Sequence, residues 1–167
     1  GFPHSVPPEY LDYQVANLIQ DGCSYIRGVM SMGRVFEGLG VGLDGASGAA
    51  AAAVTIATRD GLSMVGSLAF SSYFKSFFTQ NTKSWRLFAD LLNNVALAVE
   101  IVAPAFPRYF VALLCLSALF RACVGVAAGS TGVVIANHWG EKSSNTAEVS
   151  AVNGNQHTLV SLSCLAV

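Results

Sequence analysis

Apolar side chains recur near helical spacing in the first part of the chain, after a proline-rich lead-in over residues 1–8. The apolar positions within residues 9–36 are Leu11, Val15, Leu18, Ile19, Ile26, Val29 and Met30. This spacing predicts an amphipathic helix, either continuous or broken into a pair.

Three long apolar stretches follow, at residues 49–74, 85–103 and 109–128. A helix needs about 20 mainly apolar residues to cross a hydrocarbon core of about 30 Å, and each stretch is close to that length. Pro104 and Pro107 are expected to end the helix of the second stretch, so that a new helix begins after them. A Gly-Ser-Thr-Gly sequence at 129–132 predicts a break after the third stretch.

The end of the chain predicts one further helix after the polar residues 137–145. Asn145 and Glu148 have the spacing of a capping box, which would begin that helix. Residues 159–167 are an apolar run with no capping residue after it, so we expect a piece of a longer protein. We expect residues 1–167 to form a single domain that is truncated at its C-terminus.

The composition favours a membrane over water as the surroundings of these helices. Hydrophobic residues make up 53% of the 167 residues and charged residues only 11%, against about a quarter charged in an ordinary soluble domain. The net charge of −1 leaves no basic surplus for nucleic-acid binding. The fold class that we expect is all-α, a polytopic helical membrane bundle, with a soluble helical bundle as the alternative.

The few charges inside the three apolar stretches balance, and with one amide they form a candidate intramembrane polar site. Its members are Arg59, Asp60, Arg86, Asp90, Asn93, Glu100 and Arg121. Arg86 and Asp90 lie four residues apart, which permits a pair within one helix.

Other charges of this site are expected to find their partners on different helices. Arg59 and Asp60 are adjacent and would point about 100° apart, so each is expected to need a partner elsewhere. Arg121 is alone in its stretch, and Glu100 and Asp90 are the candidate acids.

Cysteine and histidine patterns give no sign of a metal site or a catalytic centre. Cys23, Cys115, Cys123 and Cys164 form no CxxC pair, so we interpret them as buried, reduced thiols. Gly40, Gly42 and Gly45 fit a dinucleotide-binding spacing but do not follow a predicted strand. We expect no metal, no cofactor and no catalytic residue.

Several short motifs together resemble the root UVB sensitive family, whose shared region is a domain for vitamin B6 photoprotection and homeostasis. They are Pro8-x-Tyr10-x-x-Tyr13-Gln14, Glu37-Gly38-Leu39-Gly40-Val41-Gly42, Arg59-Asp60-Gly61 with Gly66, Lys83-x-Trp85-Arg86-Leu87-Phe88-Ala89-Asp90-x-Leu92-Asn93, Glu100 with Pro104 and Pro107, Gly125-Val126-Ala127-Ala128-Gly129, and Asn145-x-Ala147-Glu148-Val149-Ser150-Ala151. The resemblance covers nearly the whole chain.

The same resemblance implies a second candidate site, at a polar loop and helix start. Its members are Asn145, Glu148, Ser150, Gln156 and Thr158. The chain departs from the family at Asn94 and around Asn153, where the family usually has acids. If those acids bind a ligand in the family, we expect this chain to bind it more weakly.

By resemblance, the chain is expected to be an integral membrane protein linked to ultraviolet-B response, auxin transport and vitamin B6 balance, in a plastid or another organelle. The link to vitamin B6 comes from the resemblance alone. Three classes of function stay open: a transport or permeation component, a non-catalytic membrane scaffold, and an enzyme, which we do not expect. The expected partner is a lipid bilayer, with a copy of the chain or another family member as a candidate second partner.

Overall fold

A computed structural model describes residues 9–40, 46–74, 76–78, 80–140 and 146–165, and these contain helices and turns but no strand. The five α-helices are α1 (Glu9–Gly38), α2 (Ala46–Phe74), α3 (Thr82–Val102), α4 (Phe110–Gly140) and α5 (Thr146–Leu165). The all-α class is therefore confirmed. The first helix is continuous, so of the two forms predicted for residues 9–36 the unbroken one is correct.

The two prolines between α3 and α4 act as expected. Two short 3₁₀ turns, Ala103–Ala105 and Pro107–Tyr109, connect the helices. The N–H of Phe106 donates to the carbonyl of Ala103 at 3.0 Å, and the N–H of Tyr109 donates to that of Phe106 at 2.9 Å. Because proline lacks an N–H, it ends the helical hydrogen-bond ladder here.

Residues 129–132 continue helix α4, so the break predicted at the Gly-Ser-Thr-Gly sequence is wrong. Thr131 is fully buried, and its hydroxyl donates to the carbonyl of Ala127 at 2.7 Å. The helix therefore satisfies its own buried hydroxyl, and the glycines lower helix propensity without interrupting the ladder.

The chain divides into two compact units. The terminal unit comprises the described residues of Gly1–Gly28 and Gly132–Val167, and the central unit is Val29–Thr131. In the terminal unit, Tyr10, Ala136 and Val149 form the core, with Tyr13 and Trp139 packed against them.

The central unit has two core clusters. One contains Val35, Ala103, Phe110 and Leu114. The other contains Phe78, Ala89 and Ala127, with Phe70 and Trp85 among the residues packed against it.

Glycine allows two helices of the central unit to pack closely at Gly66. A Cβ added at Gly66 of α2 would lie 3.0 Å from Leu119 Cδ2 and 3.3 Å from Ala122 Cβ of α4. At Gly125 and Gly129 an added Cβ meets no described atom within 4 Å. Gly66, unlike Gly125 and Gly129, is therefore a point where two helices of the central unit approach closely.

Two helical segments of the described residues, rather than the expected three, are long and apolar enough to cross a membrane. They are Thr82–Ala105 and Pro107–Gly140. Helix α2 does not qualify, because Arg59, Asp60 and its many hydroxyl residues make it more polar. By themselves these two segments are weak evidence for a membrane, since the core helix of a soluble protein has the same composition.

Candidate functional site

Glu100 of α3 is a carboxylate buried inside the central unit, where α1 and α4 contribute hydrogen-bond donors to it. It is 1% exposed, and its Oε1 accepts a hydrogen bond from Ser117 Oγ of α4 at 2.7 Å. Its Oε2 accepts from Ser31 Oγ of α1 and from Arg121 Nη2 of α4, the latter at 2.6 Å. We call Glu100, Ser31, Ser117 and Arg121 the Glu100 cluster.

The local sequence explains how these groups converge. Ser117 and Arg121 are four residues apart on α4 and therefore share one helical face. Ser31 and Ser117 are both fully buried. Burying a carboxylate without partners is very unfavourable, so the three donors are what allow an acid at this position.

Arg121 is less completely satisfied than the carboxylate it pairs with. Its side chain is 36% exposed, against 2% for that of Glu100. Its Nε atom is buried and has no hydrogen-bond partner among the described residues. The guanidinium therefore binds Glu100 through one nitrogen and keeps an unused donor.

Four of the five remaining members of the predicted intramembrane site form pairs between residues that are close in the sequence. Arg59 Nε lies 3.2 Å from Asp60 Oδ1, so the expectation that each needs a partner on another segment is wrong. The long arginine side chain spans the angle between adjacent residues. Arg86 and Asp90 do pair along α3, with Nε and Oδ2 3.9 Å apart, and Asn93 is half-buried on the same helix.

Of these three ion pairs, only Arg121–Glu100 joins two helices. Between the two candidate acids for Arg121, the structure therefore selects Glu100. The seven residues do not converge in one site.

A second polar cluster lies in the terminal unit, between α1 and α5. Tyr10 Oη donates to Asn153 Oδ1 at 3.3 Å, and Gln14 Nε2 donates to the same oxygen at 2.5 Å and also to Tyr10 Oη. Gln156 Nε2 donates to the backbone carbonyl of Gln14 at 3.1 Å. Burial raises the pKa of Tyr10 above its usual value, although the hydrogen bond from Gln14 partly opposes this.

The residues predicted at the polar loop and helix start are not gathered around one point. Gln156 joins the second cluster, whereas the Thr158 hydroxyl donates to Gly154 of its own helix at 3.0 Å. Ser150 is exposed and Glu148 is half-buried. Asn145, and with it the predicted capping box, lies outside the described residues.

Sequence reasoning missed Ser31, Ser117 and Asn153 as members of these clusters. Ser117 could have been found, because it lies one helical turn before the lone arginine of an apolar stretch. Nothing around Ser31 marks it as a partner of an acid that is 69 residues away. In the sequence, Asn153 stands out only as a departure from the family pattern.

The described cysteines are free thiols, and the described side chains that could bind a metal form no metal site. Cys23 is exposed, and Cys115 and Cys123 are half-buried free thiols, so the expectation of burial is wrong for Cys23. The side chain of Cys164 lies outside the described residues. Among the residues described, no group of three or more His, Cys, Asp or Glu could hold a metal ion.

Comparison with known proteins decides the family. The model of the vitamin B6 photo-protection and homoeostasis domain matches residues 1–167. The chain is 36% identical, over 97% of its length, to RUS family member 1 of Dictyostelium discoideum, and 33% identical, also over 97%, to protein root UVB sensitive 3 of Arabidopsis thaliana. The chain belongs to the root UVB sensitive family.

Another member of the root UVB sensitive family, the Arabidopsis protein root UVB sensitive 2, chloroplastic, is 28% identical over 81% of the chain. The chain spans 31%, 36% and 30% of the length of these three relatives, about a third of each. No solved structure matches it.

Proposed function

We propose that this chain is a membrane-embedded, non-catalytic scaffold module of the root UVB sensitive family. The observation that carries the proposal is the Glu100 cluster, in which groups from α1, α3 and α4 meet at one buried carboxylate. Three cavities are lined by described residues, and none of these three has a member of the Glu100 cluster among its lining residues. Its polar groups are used in holding helices together.

Membrane embedding is supported by how little of the apolar surface is covered. In an apolar 18-residue stretch of Thr82–Ala105 only 28% is buried, and in the corresponding stretch of Pro107–Gly140 only 33% is buried. The core helix of a soluble protein, by contrast, is mostly buried. Large apolar side chains on these segments, including Val95, Val102, Val111 and Val133, are about half exposed or more. A lipid environment would cover this surface without a penalty.

Transport or permeation is the second candidate function, and it has one observation in its favour. Arg121 lies in the middle of an apolar helix with an exposed portion and an unused buried donor. Charged residues inside membrane helices often mark a substrate path. The carboxylate beside it, however, has donors on both oxygens.

The names of the relatives guide the biological setting that we propose. They point to ultraviolet-B response and vitamin B6 homoeostasis as the processes in which the module acts, and one relative is chloroplastic. An organelle membrane, plastid or other, is the proposed location. A second copy of the chain or another family member is the proposed protein partner.

A double variant separates the two candidate functions in cells that lack the protein. Arg121→Leu alone leaves the buried acid unpaired, and adding Glu100→Gln removes that charge while keeping groups that can bond Ser31 and Ser117. The scaffold proposal predicts that the double variant accumulates better than Arg121→Leu and that cellular function returns with accumulation. Recovered accumulation without function would support transport. The pair Arg86→Leu with Asp90→Asn, which alters a more exposed contact, is the matched control and should retain function.

A further inference from the structure

The central unit has an apolar groove beside an exposed cation, Arg108, at the end of α3. The groove has a volume of about 600 Å³ and is lined by Val95, Val99, Val102, Phe106, Tyr109 and Leu113 among others. This volume falls within the roughly 300–1,000 Å³ typical of ligand pockets. It also opens between the two segments that are long and apolar enough to span a membrane.

The shape of the groove suits a chain-like apolar ligand. Val95, Val99 and Val102 follow one face of α3 over two helical turns, a length of about 10 Å at 1.5 Å per residue. Val95 is 48% exposed and Val102 50% exposed, so no described residue covers this face fully. An acyl chain lying along α3 would cover it.

The only charge of a long apolar region of the sequence lies beside the groove. Between Glu100 and Arg121 of the sequence, Arg108 is the only charged residue. Its guanidinium carbon lies 6.0 Å from the centre of the Tyr109 ring, and Tyr109 lines the groove. Arg108 makes no ion pair with the residues that the structure describes, so its charge is available to an anion.

Aromatic residues at the same turn indicate which part of a bilayer this end of the groove occupies. Phe106 is 53% exposed and Tyr109 is 58% exposed, on the short connection between the two apolar segments. Exposed tyrosine and tryptophan rings at the ends of membrane helices are typical of the headgroup region, and Tyr109 is such a ring. Arg108 would then lie at the depth of lipid phosphates, with the groove extending toward the acyl chains.

We infer that this groove binds a phospholipid with an anionic headgroup, with an acyl chain along Val95–Val102 and the headgroup at Arg108. The inference rests on the proposed membrane embedding and names a specific lipid contact for it. Charge complementarity and the apolar lining select a lipid over a soluble anion, which would leave the groove empty.

Native mass spectrometry of the full chain in detergent tests this inference with phosphatidylglycerol and phosphatidylcholine of identical acyl chains. One basic residue near a membrane surface contributes about 1 kcal/mol, so phosphatidylglycerol should bind about fivefold more tightly. Arg108→Gln should remove this preference, because it weakens the binding of phosphatidylglycerol more than that of phosphatidylcholine. Lys83→Gln, which neutralises an exposed cation at the start of α3, should keep it.

Filling the groove provides a second variant with a different expectation. Val99→Trp should weaken the binding of both lipids, with the unfolding temperature measured to confirm that the fold is intact. The inference is overturned if Arg108→Gln keeps the preference, if Lys83→Gln removes it equally, or if inorganic phosphate displaces the lipid. Should the chain integrate into membranes and yet show no preference, only this inference fails, whereas a chain that does not integrate overturns the proposed function as well.

Discussion

At the scale of single residues, the central feature is an acid that is 1% exposed and accepts three hydrogen bonds. Removing one partner of a buried ion pair is costly because the other charge is left without compensation, while removing both is often close to neutral. The pairing of Glu100 with Arg121 should therefore contribute to the stability of the whole central unit.

Arg121→Leu is expected to destabilise the chain by about 3 kcal/mol, the lower end of the range for breaking a buried pair, because the arginine is partly exposed. Thermal unfolding in detergent measures this loss. Glu100→Gln in the same chain should restore part of it. Arg86→Leu, whose pair spans 3.9 Å and is partly exposed, should change stability by only about 0.5 kcal/mol. Equal stability of Arg121→Leu and the wild-type chain would show that the pair does not hold the helices.

The raised pKa of Tyr10 predicts a loss of stability at alkaline pH. In the unfolded chain the phenol titrates near pH 10, and burial keeps it protonated to higher pH in the folded chain. Its contribution is fully present below about pH 10 and is lost as the pH rises through the folded value, because the unfolded state gives up its proton first.

Unfolding temperatures of wild type and Tyr10→Phe between neutral pH and pH 11 test this contribution. The alkaline decline should be shallower in Tyr10→Phe, whereas Tyr73→Phe, at a position that is 79% exposed, should follow the wild-type curve. Parallel curves for Tyr10→Phe and wild type would contradict the assignment.

The sequence showed that the charges in the apolar stretches need partners, but it could not show which groups surround Glu100. The choice between Glu100 and Asp90 for Arg121 was open because both precede it on the same predicted helix. Ser31 was invisible, since one serine in an amphipathic helix has no pattern. Its role depends on which face of α1 meets α3, and that is a property of packing.

At the scale of elements, glycines in one helix have opposite roles that only packing reveals. A Cβ added at Gly38 of α1 would lie 2.6 Å from Cζ of Phe110, a buried core residue, whereas one added at Gly33 meets no described atom within 4 Å. The helix pattern of residues 9–36 predicted α1 correctly. It could not show where the ring of Phe110 would lie.

Substitution of these two glycines by alanine should therefore have opposite effects. Gly33→Ala is expected to stabilise the chain by about 0.5–1 kcal/mol, because alanine loses less backbone entropy in a helix. Gly38→Ala should lower stability, since the Phe110 ring must leave its packed position. Thermal unfolding of the two variants side by side gives the comparison, and a stabilised Gly38→Ala would mean that the contact is absent.

At the scale of the whole molecule, the pattern of apolar positions anticipated the helical class and the long apolar segments, while the number of membrane candidates was overestimated. Apolar length alone counted α2, although Arg59, Asp60 and its hydroxyl groups set it apart from α3 and α4. The short motifs identified the family. They could not show that the charges would form three separate pairs, because that depends on side-chain reach and helix contacts.

Alkaline carbonate extraction of membranes from cells that express the full chain tests the central claim most directly. A helical module with two largely uncovered apolar segments should remain in the membrane pellet, because water would otherwise contact the exposed faces of α3 and α4. Arg108→Gln should remain there too, since the groove charge is not what holds the chain in the bilayer. Release of the wild-type chain into the soluble fraction would contradict the account.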